Sequence, residues 1–200
     1  MARKFSEREK NNITNELIET GKRLFTTFGY QKTSIQDITK RVGIAQGTFY
    51  HFFRSKEDLY FDILELEEKN LRERIVTFKP NATLLPEEKL QQILRYIVTV
   101  INESALLQQF FSEDHLHLMR TFDKEKWKQH VIHDERAIQA LLAHWEKENI
   151  YVTEEPDVVA SILRALFILL LQREEIGVDT FDITLDRLIR YIASGLIRKE

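Results

Sequence analysis

Apolar residues recur at helical spacing along nearly the whole chain, and this period constrains the fold more than any other feature. In the first stretch one stripe is formed by Ile13, Leu17, Leu24, Phe25 and Phe28. Helix breakers are rare, with six Gly and three Pro among 200 residues, and alternating β-branched patterns are scarce. The sequence therefore predicts an all-α fold of about nine helices and no sheet.

The positions of Gly, Pro and capping residues divide this pattern into elements. Thr33, with Gln36 three residues later, is predicted to cap the second helix, and Ser55 the fourth. Gly21 lies on the apolar stripe of the first helix, where another helix is expected to come close. The predicted helices lie near residues 10–28, 34–41, 46–52, 56–77, 86–102, 123–148, 156–175 and 181–198, with short helical pieces between 102 and 119.

Charge is distributed unevenly along the chain. Residues 1–56 hold 11 Lys and Arg against 5 Asp and Glu, giving +6, whereas residues 57–200 hold 18 against 27, giving −9. The overall charge of −3 hides this difference. A basic stretch at residues 1–56 followed by an acidic remainder indicates that only the basic stretch approaches phosphate, although chance clustering of charges is an alternative.

Composition and motifs exclude several classes of protein. There is no cysteine, so neither a disulfide framework nor a thiolate metal site is expected. The longest apolar run, Ala165 to Leu171, is far shorter than the roughly 20 residues that span a bilayer, and the N-terminus does not read as a signal peptide. No phosphate loop, nucleophile elbow or paired catalytic residues occur. We expect a cytoplasmic protein that is not an enzyme and has no cofactor, catalytic site or membrane partner.

The segment from Thr33 to Lys56, TSIQDITKRVGIAQGTFYHFFRSK, is the most informative. Two short helices flank Val42-Gly43-Ile44, and Gly43 supplies the sharp turn that lets one helix cross the other. The phenylalanines at 49, 52 and 53 are expected in the core. The second short helix would expose hydrogen-bonding groups suited to a DNA groove, so the spacing predicts a helix-turn-helix.

This segment resembles the TetR family of bacterial repressors. The resemblance rests on Phe-Gly-Tyr at 28–30, Thr33, Ile38-Thr39, Val42-Gly43-Ile44, the run from Gly47 to Phe53, and Ser55-Lys56-Glu57-Asp58-Leu59. It covers about 50 residues at fixed spacing, which is more specific than a bare helix-turn-helix pattern. The remaining residues match only as a helical pattern that ends in an apolar pair.

The resemblance implies a role for individual residues and a division of the chain. A DNA-binding domain would cover residues 1–55, and a helical ligand-binding and dimerisation domain residues 56–200. Thr33 and Lys56 would contact phosphates, while Tyr50 and His51 would clamp the backbone. Gln46 and Thr48 would reach base edges in the major groove of a palindromic operator, with Gly47 allowing close approach.

The last two predicted helices favour a homodimer. The first of them is apolar on nearly all sides, and such a helix must be buried on more than one face. Together they would form a two-fold symmetric four-helix bundle with a second copy, although a fully intramolecular core is the alternative. The predicted interface contains Ile162, Ala165, Leu166, Leu169, Leu185, Leu188, Ile189 and Ile192.

The resemblance also implies an inducer pocket in the second domain, from which a bound molecule moves the fourth helix and separates the two DNA-binding domains. The apolar character of the candidate wall favours a hydrophobic or amphipathic small molecule, although the same residues could simply fill the core. The candidate wall is Leu64, Tyr96, Ile97, Val100, Phe110, Phe111, Met119, Trp127, Leu166 and Leu170.

Histidines at 115, 117, 130, 133 and 144 are weighed as metal ligands, but their spacing lacks a metal-binding motif, and no metal site is predicted. The expected function is a transcriptional repressor that binds operator DNA as a homodimer and is released by an inducer. The alternatives are a ligand-independent or activating DNA-binding regulator and a helical adaptor that binds protein.

Overall fold

A computed structural model describes residues 5–110 and 124–198, without the side chains of residues 109, 110 and 127–135. These residues form helices, and their one β-feature is an isolated antiparallel bridge between Val152 and Ile197, so the all-α prediction is confirmed. No described helix is long and apolar enough to span a membrane. The helices are α1 (Glu7–Phe28), α2 (Ile35–Val42), α3 (Gln46–Phe49), α4 (Lys56–Thr77), α5 (Pro86–Glu103), α6 (Ala105–Phe110), α7 (Lys124–Lys147), α8 (Pro156–Leu171), α9 (Arg173–Ile176) and α10 (Phe181–Leu196).

Most helix boundaries follow from capping and breaking residues. α4 has the predicted bounds, and the Ser55 hydroxyl accepts a hydrogen bond from the Asp58 backbone N–H at 3.2 Å. The expected third helix to Phe52 is too long, since α3 ends at Phe49. Beyond it the backbone makes tighter turns, with the N–H of Phe52 donating to the Phe49 carbonyl at 2.9 Å.

The chain separates into two compact units. The first contains Met1–Glu68 and Ala105–Lys126, and the second contains Lys69–Ser104 and Trp127–Glu200. The division therefore falls within α4, whereas the boundary predicted between residues 55 and 56 lies at the start of that helix.

The first unit is held together where α1 packs against α4. A Cβ built on Gly21 would lie 3.0 Å from Ile63 Cδ1 and 3.1 Å from Leu59 Cδ2, so the missing side chain allows the close approach that the sequence predicts. Leu17, Phe25, Ile38, Phe49, Leu59 and Ile63 are fully buried. Lys126 adds two salt bridges, since its ammonium lies 2.5 Å from the Asp58 carboxylate and 2.6 Å from the Asp62 carboxylate.

The core of the second unit surrounds Trp145, which is completely buried. α5 contributes Leu90, Ile93 and Leu94, and α10 contributes Leu185, Ile189 and Ala193. The Arg95 guanidinium on α5 donates two hydrogen bonds to one carboxylate oxygen of Asp186 on α10, at 2.7 and 3.1 Å. Apolar packing and this ion pair together hold α10 against α5.

Candidate nucleic-acid interface

The start of α2 is capped by Ser34. The Ser34 hydroxyl accepts from the Asp37 backbone N–H at 3.1 Å, and the Asp37 carboxylate accepts from the Ser34 N–H at 3.0 Å. The prediction that Thr33 and Gln36 form this capping box was therefore wrong by one residue. A Ser with an Asp three residues later is also a capping sequence, so the signal was present but competed with its neighbour.

Thr33 itself is turned into the protein. It is 3% exposed, and its hydroxyl donates to the Gly29 carbonyl at 2.9 Å. Its backbone N–H donates to the Tyr30 carbonyl at 3.3 Å. Both groups expected to touch a phosphate are already bonded within the first unit, so we leave Thr33 out of the proposed DNA contacts.

Gly43 makes the turn between α2 and α3. Its φ of 79° and ψ of 27° place it in the left-handed region, where a side chain is strained. Its N–H donates to the Thr39 carbonyl at 2.9 Å and so closes α2. The turn ends the helix within one residue, which is the role the sequence predicts for this glycine.

α3 and the residues after it present a polar surface over a buried aromatic base. Phe49 and Phe53 are buried beneath it, as predicted, while Phe52 is only half-buried, its ring 6.0 Å from that of Phe5. Above them the side chains of Gln46, Tyr50 and His51 are exposed, and Thr48 is half-buried. Among the described residues, none accepts from or donates to the Gln46 or His51 side chain. These groups remain available to an external partner.

Gly47 lies at the same surface, and nothing inside the described protein requires a glycine at this position. A Cβ built there meets no atom within 4 Å, and the backbone does not have a positive φ. The position contrasts with Gly21, where a Cβ would lie 3.0 Å from Ile63 Cδ1 of α4. Space above Gly47 is therefore open to a molecule outside the chain.

Lys56, expected to contact a phosphate, points inward at the first residue of α4. Its ammonium donates to the backbone carbonyls of Tyr30 and Thr33, each at 3.0 Å, and lies 4.0 Å from the centroid of the Tyr30 ring. Burial lowers the pKa of this ammonium below its usual value, against the opposing effect of the Glu57 carboxylate.

The Tyr30 side chain reaches the same end of α4. Its hydroxyl donates to the Glu57 carboxylate, and burial together with this bond raises the pKa of Tyr30. Burial acts to raise the pKa of Glu57, but hydrogen bonds from Tyr30 and Ser55 hold it below its ordinary value. The Tyr30 ring packs 4.9 Å from that of Tyr60, centroid to centroid. The turn between α1 and α2 is thus tied to α4 by two adjacent side chains.

Exposed cations surround the predicted DNA-reading residues in the sequence. Lys32 precedes α2, Lys40 and Arg41 occupy its last turn, and Arg54 follows α3. The charge count of residues 1–56 included them, but nothing in the sequence separated them from the inward-facing Lys56. Exposure makes them better candidates for phosphate contacts than Lys56.

The predicted ligand wall is only partly described. Phe111 and Met119 lie outside the described residues, as do the side chains of Phe110 and Trp127. Leu64 is buried in the first unit. In the second unit Ile97, Val100 and Leu166 are buried and Leu170 is half-buried, while the Tyr96 ring stacks on that of Phe78 with centroids 4.0 Å apart. The inducer pocket stays a prediction.

The histidines give no metal centre in the part that is described. His115 and His117, and the side chains of His130 and His133, lie outside it. A ring nitrogen of His144 lies 3.2 Å from the Phe78 carbonyl. Within the described residues no group of three or more His, Asp or Glu side chains is placed to hold a metal ion.

The predicted dimer residues fall into two sets. Leu166, Leu185 and Ile189 are buried in the core of their own unit, so they offer no surface to a second copy. Ala165 is exposed, and Ile162, Leu169, Leu188 and Ile192 are half-buried. Four exposed large hydrophobic side chains on these helices were not among the predicted interface residues, namely Val158 at 42%, Ile168 at 49%, Ile183 at 67% and Tyr191 at 67%.

The three-helix arrangement of α1, α2 and α3, with the tight turn at Gly43, defines a helix-turn-helix protein. Residues 17–63 match the family model for bacterial regulatory proteins of the tetR family. These residues therefore carry the N-terminal region of a TetR-family regulator, and the motif resemblance is confirmed there.

Similar proteins agree with this assignment. The chain is 31% identical over 109 residues to the transcriptional regulator AcrR of Shigella flexneri, covering 54% of this chain and 50% of that protein. It is 32% identical over 63 residues to the regulator QacR of Staphylococcus aureus, covering 32% and 34%. A TetR-family regulator from Pectobacterium atrosepticum has the same fold, with a TM-score of 0.67, 19% identity and coverage of 98% and 99%. The curated relatives are thus matched over half of their length or less.

Proposed function

We propose that this chain is a transcriptional repressor that binds palindromic operator DNA as a homodimer. The observation that carries the proposal is the exposed polar surface of Gln46, Tyr50 and His51 above buried Phe49. Nothing inside the described protein uses the side chains of Gln46 and His51, and the backbone at Gly47 is unobstructed. Gln pairs with adenine through two hydrogen bonds in the major groove, which suits an exposed Gln at the start of a recognition helix.

Charge supports the same surface. The excess of cations in residues 1–56 includes Lys32, Lys40, Arg41 and Arg54, all of which are exposed. Phosphate contacts from such groups orient a protein on the duplex and supply affinity that does not depend on sequence. We propose these four cations as the phosphate contacts that flank the base-reading residues.

A second copy would supply the other half of the interface. α8 exposes Ala165 and Ile168, and α10 exposes Ile183 and Tyr191. Exposed apolar side chains on two helices are favourable to bury against the same surfaces of a two-fold related copy. A dimer would place two recognition helices about one DNA turn apart, roughly 34–36 Å, as a palindrome requires.

A small hydrophobic or amphipathic inducer completes the proposal. Support comes from the apolar character of the candidate wall, such as Ile97, Val100 and Leu166 in the second unit. Solvent extraction of the purified protein followed by mass spectrometry tests this point. A stoichiometric apolar compound that lowers operator affinity when added back supports an inducer, and a regulator that responds to no such compound contradicts it.

The test of DNA recognition is a fluorescence anisotropy titration with a duplex from upstream of the protein's own gene and a scrambled duplex of equal length. The double variant Gln46→Ala/Tyr50→Ala is expected to lose the preference for the upstream duplex and to remain folded and dimeric. If it keeps full sequence-specific binding, the recognition surface is assigned wrongly.

The chain offers a matched control of the same residue types. Gln139 and Tyr151 are exposed and lie in the second unit. The variant Gln139→Ala/Tyr151→Ala removes the same atoms from residues outside the first unit and is expected to bind the upstream duplex like the unmodified protein. Repression, as opposed to activation, is tested with a reporter gene behind the upstream sequence, whose expression should rise when the regulator is deleted.

A further inference from the structure

The ammonium of Lys56 is hydrogen-bonded within the first unit. Two of its N–H groups are used by the backbone carbonyls of Tyr30 and Thr33, each 3.0 Å away. The ammonium also lies over the Tyr30 ring, 4.0 Å from its centroid. A lysine ammonium has three donors, and here two of them are taken by backbone carbonyls of the first unit.

The groups that Lys56 contacts belong to the turn between α1 and α2. Residues 29–34 join the end of α1 to the Ser34 cap of α2. The Tyr30 and Thr33 carbonyls lie outside any helix, and without the ammonium they would lose a charged donor. Glu57 holds the same turn from the next position by accepting from the Tyr30 hydroxyl.

We infer that Lys56 is a positioning residue for operator recognition, which rests on the proposed DNA-binding function. It fixes the turn at 29–34 against the start of α4 and thereby sets where α2 begins. α2 is followed within three residues by α3, so the position of the turn determines how the surface around Gln46 and Gly47 is presented. Lys56 acts through this placement and does not itself bind a phosphate.

The competing role makes a different prediction about salt. A lysine that neutralises a phosphate releases counterions, and its loss reduces the slope of log K against log salt concentration by about 0.9. A positioning lysine affects the geometry of recognition, so its loss leaves that slope nearly unchanged. It lowers the affinity for the upstream duplex relative to a scrambled one.

The variants for the test are Lys56→Met, Lys56→Arg and Tyr30→Phe. Met keeps the aliphatic stem and removes every donor. Arg keeps a cation that donates to two carbonyls and stacks on a tyrosine ring. Tyr30→Phe removes the bond to Glu57 without changing any charge that faces DNA. Lys40→Met, at an exposed lysine on α2, is the matched control for loss of one cation.

In the full-length protein without DNA, hydrogen–deuterium exchange at residues 30–35 is expected to speed up in Lys56→Met and to stay slow in Lys56→Arg and Lys40→Met. In DNA titrations well below the unfolding temperature, Lys56→Met and Tyr30→Phe should lower the preference for the upstream duplex by about tenfold, the effect of roughly one charged hydrogen bond. Their salt slopes should match that of the unmodified protein, and Lys56→Arg should restore the preference.

Two results would overturn the inference. One is unchanged exchange at residues 30–35 in Lys56→Met, which would mean that the ammonium does not hold the turn. The other is a salt slope reduced by about 0.9 in Lys56→Met together with normal binding by Tyr30→Phe, which would make Lys56 a phosphate contact. If the unmodified protein shows no preference for its upstream duplex, the proposed function fails, whereas the exchange measurement still decides whether Lys56 holds the turn.

Discussion

Gly21 of α1 lies directly against Ile63 of α4, so closely that a Cβ on the glycine would come 3.0 Å from Ile63 Cδ1. Real Cβ atoms tolerate such a distance only if the neighbour moves. Ile63 is fully buried and so is its neighbour Leu59, whose Cδ2 would be 3.1 Å from the same Cβ. The contact fixes how close α1 and α4 lie within the first unit.

Substitution of this glycine should therefore destabilise the protein. We expect Gly21→Ala to lower the free energy of unfolding by about 1–3 kcal/mol, because the added methyl overpacks a buried contact and outweighs the gain in helix propensity. Urea unfolding followed by circular dichroism measures the change. Unfolding at the same or a higher urea concentration would show that the two helices separate at little cost.

Gly47 predicts the opposite phenotype. Its Cβ would meet no atom within 4 Å, so Gly47→Ala should leave stability unchanged or raise it by roughly 0.5–1 kcal/mol. Operator affinity should fall, because the methyl group would stand between the α3 backbone and the DNA. Anisotropy titration and urea unfolding of the same sample separate the two effects, and Gly21→Ala is the natural comparison. Unimpaired operator binding would exclude close approach at this residue.

The capping box of α2 predicts a dependence on pH. The hydrogen bond from the Ser34 hydroxyl, followed by that from its backbone N–H, lowers the pKa of Asp37 below its ordinary 3.8. Because the folded-state pKa is depressed, the ionised carboxylate stabilises the fold above pH 3.8, and this contribution disappears as pH falls through the folded-state pKa.

We therefore expect Ser34→Ala to raise the pKa of Asp37 toward 3.8 and to lower stability at neutral pH, with a smaller difference in acid. NMR titration of the Asp37 carboxyl and unfolding at pH 7 and pH 3 measure both quantities. Ser34→Thr, which retains the hydroxyl cap, is the control. An Asp37 pKa that does not respond to Ser34→Ala would contradict the assigned hydrogen bond.

The proposed dimer surface is tested by one charge on α8. Ile168 is 49% exposed, and Ile168→Glu should weaken the dimer about 100-fold or more, since two-fold symmetry buries the unpaired carboxylate twice. Sedimentation velocity over a concentration series measures the dissociation constant. Val178→Glu, at a 56% exposed valine after α9, should leave the dimer intact. If the two variants had the same dimer dissociation constant, Ile168 would not lie in the dimer interface.

The sequence predicted the features that depend on local chemistry. Gly43 was recognisable because a tight helix-to-helix turn favours glycine, and Gly21 because it interrupts an apolar stripe. The choice between Thr33 and Ser34 as the cap was not decided locally, since both are good capping residues and tertiary burial of Thr33 settles it.

Features that depend on distant parts of the chain could not be predicted. Lys56 bonds to carbonyls 23 and 26 residues earlier, and a backbone acceptor has no sequence signature. On α8 the apolar residues surround the helix, so the pattern did not tell buried Leu166 from exposed Ile168. Packing against the rest of the second unit makes that distinction.

The carboxylate of Asp58 joins two parts of the chain that are far apart in sequence. One oxygen accepts from the Arg54 backbone N–H at 2.9 Å, and the other contacts the Lys126 ammonium at 2.5 Å. Without the Lys126 ammonium, the carboxylates of Asp58 and Asp62 would lack a shared counterion and would repel each other. This repulsion would act on the Asp58 carboxylate, which holds the Arg54 backbone N–H just after α3. A shift of the first turn of α7 would thus affect the backbone at Arg54 through the side chain of Asp58 alone, without any bending of α4.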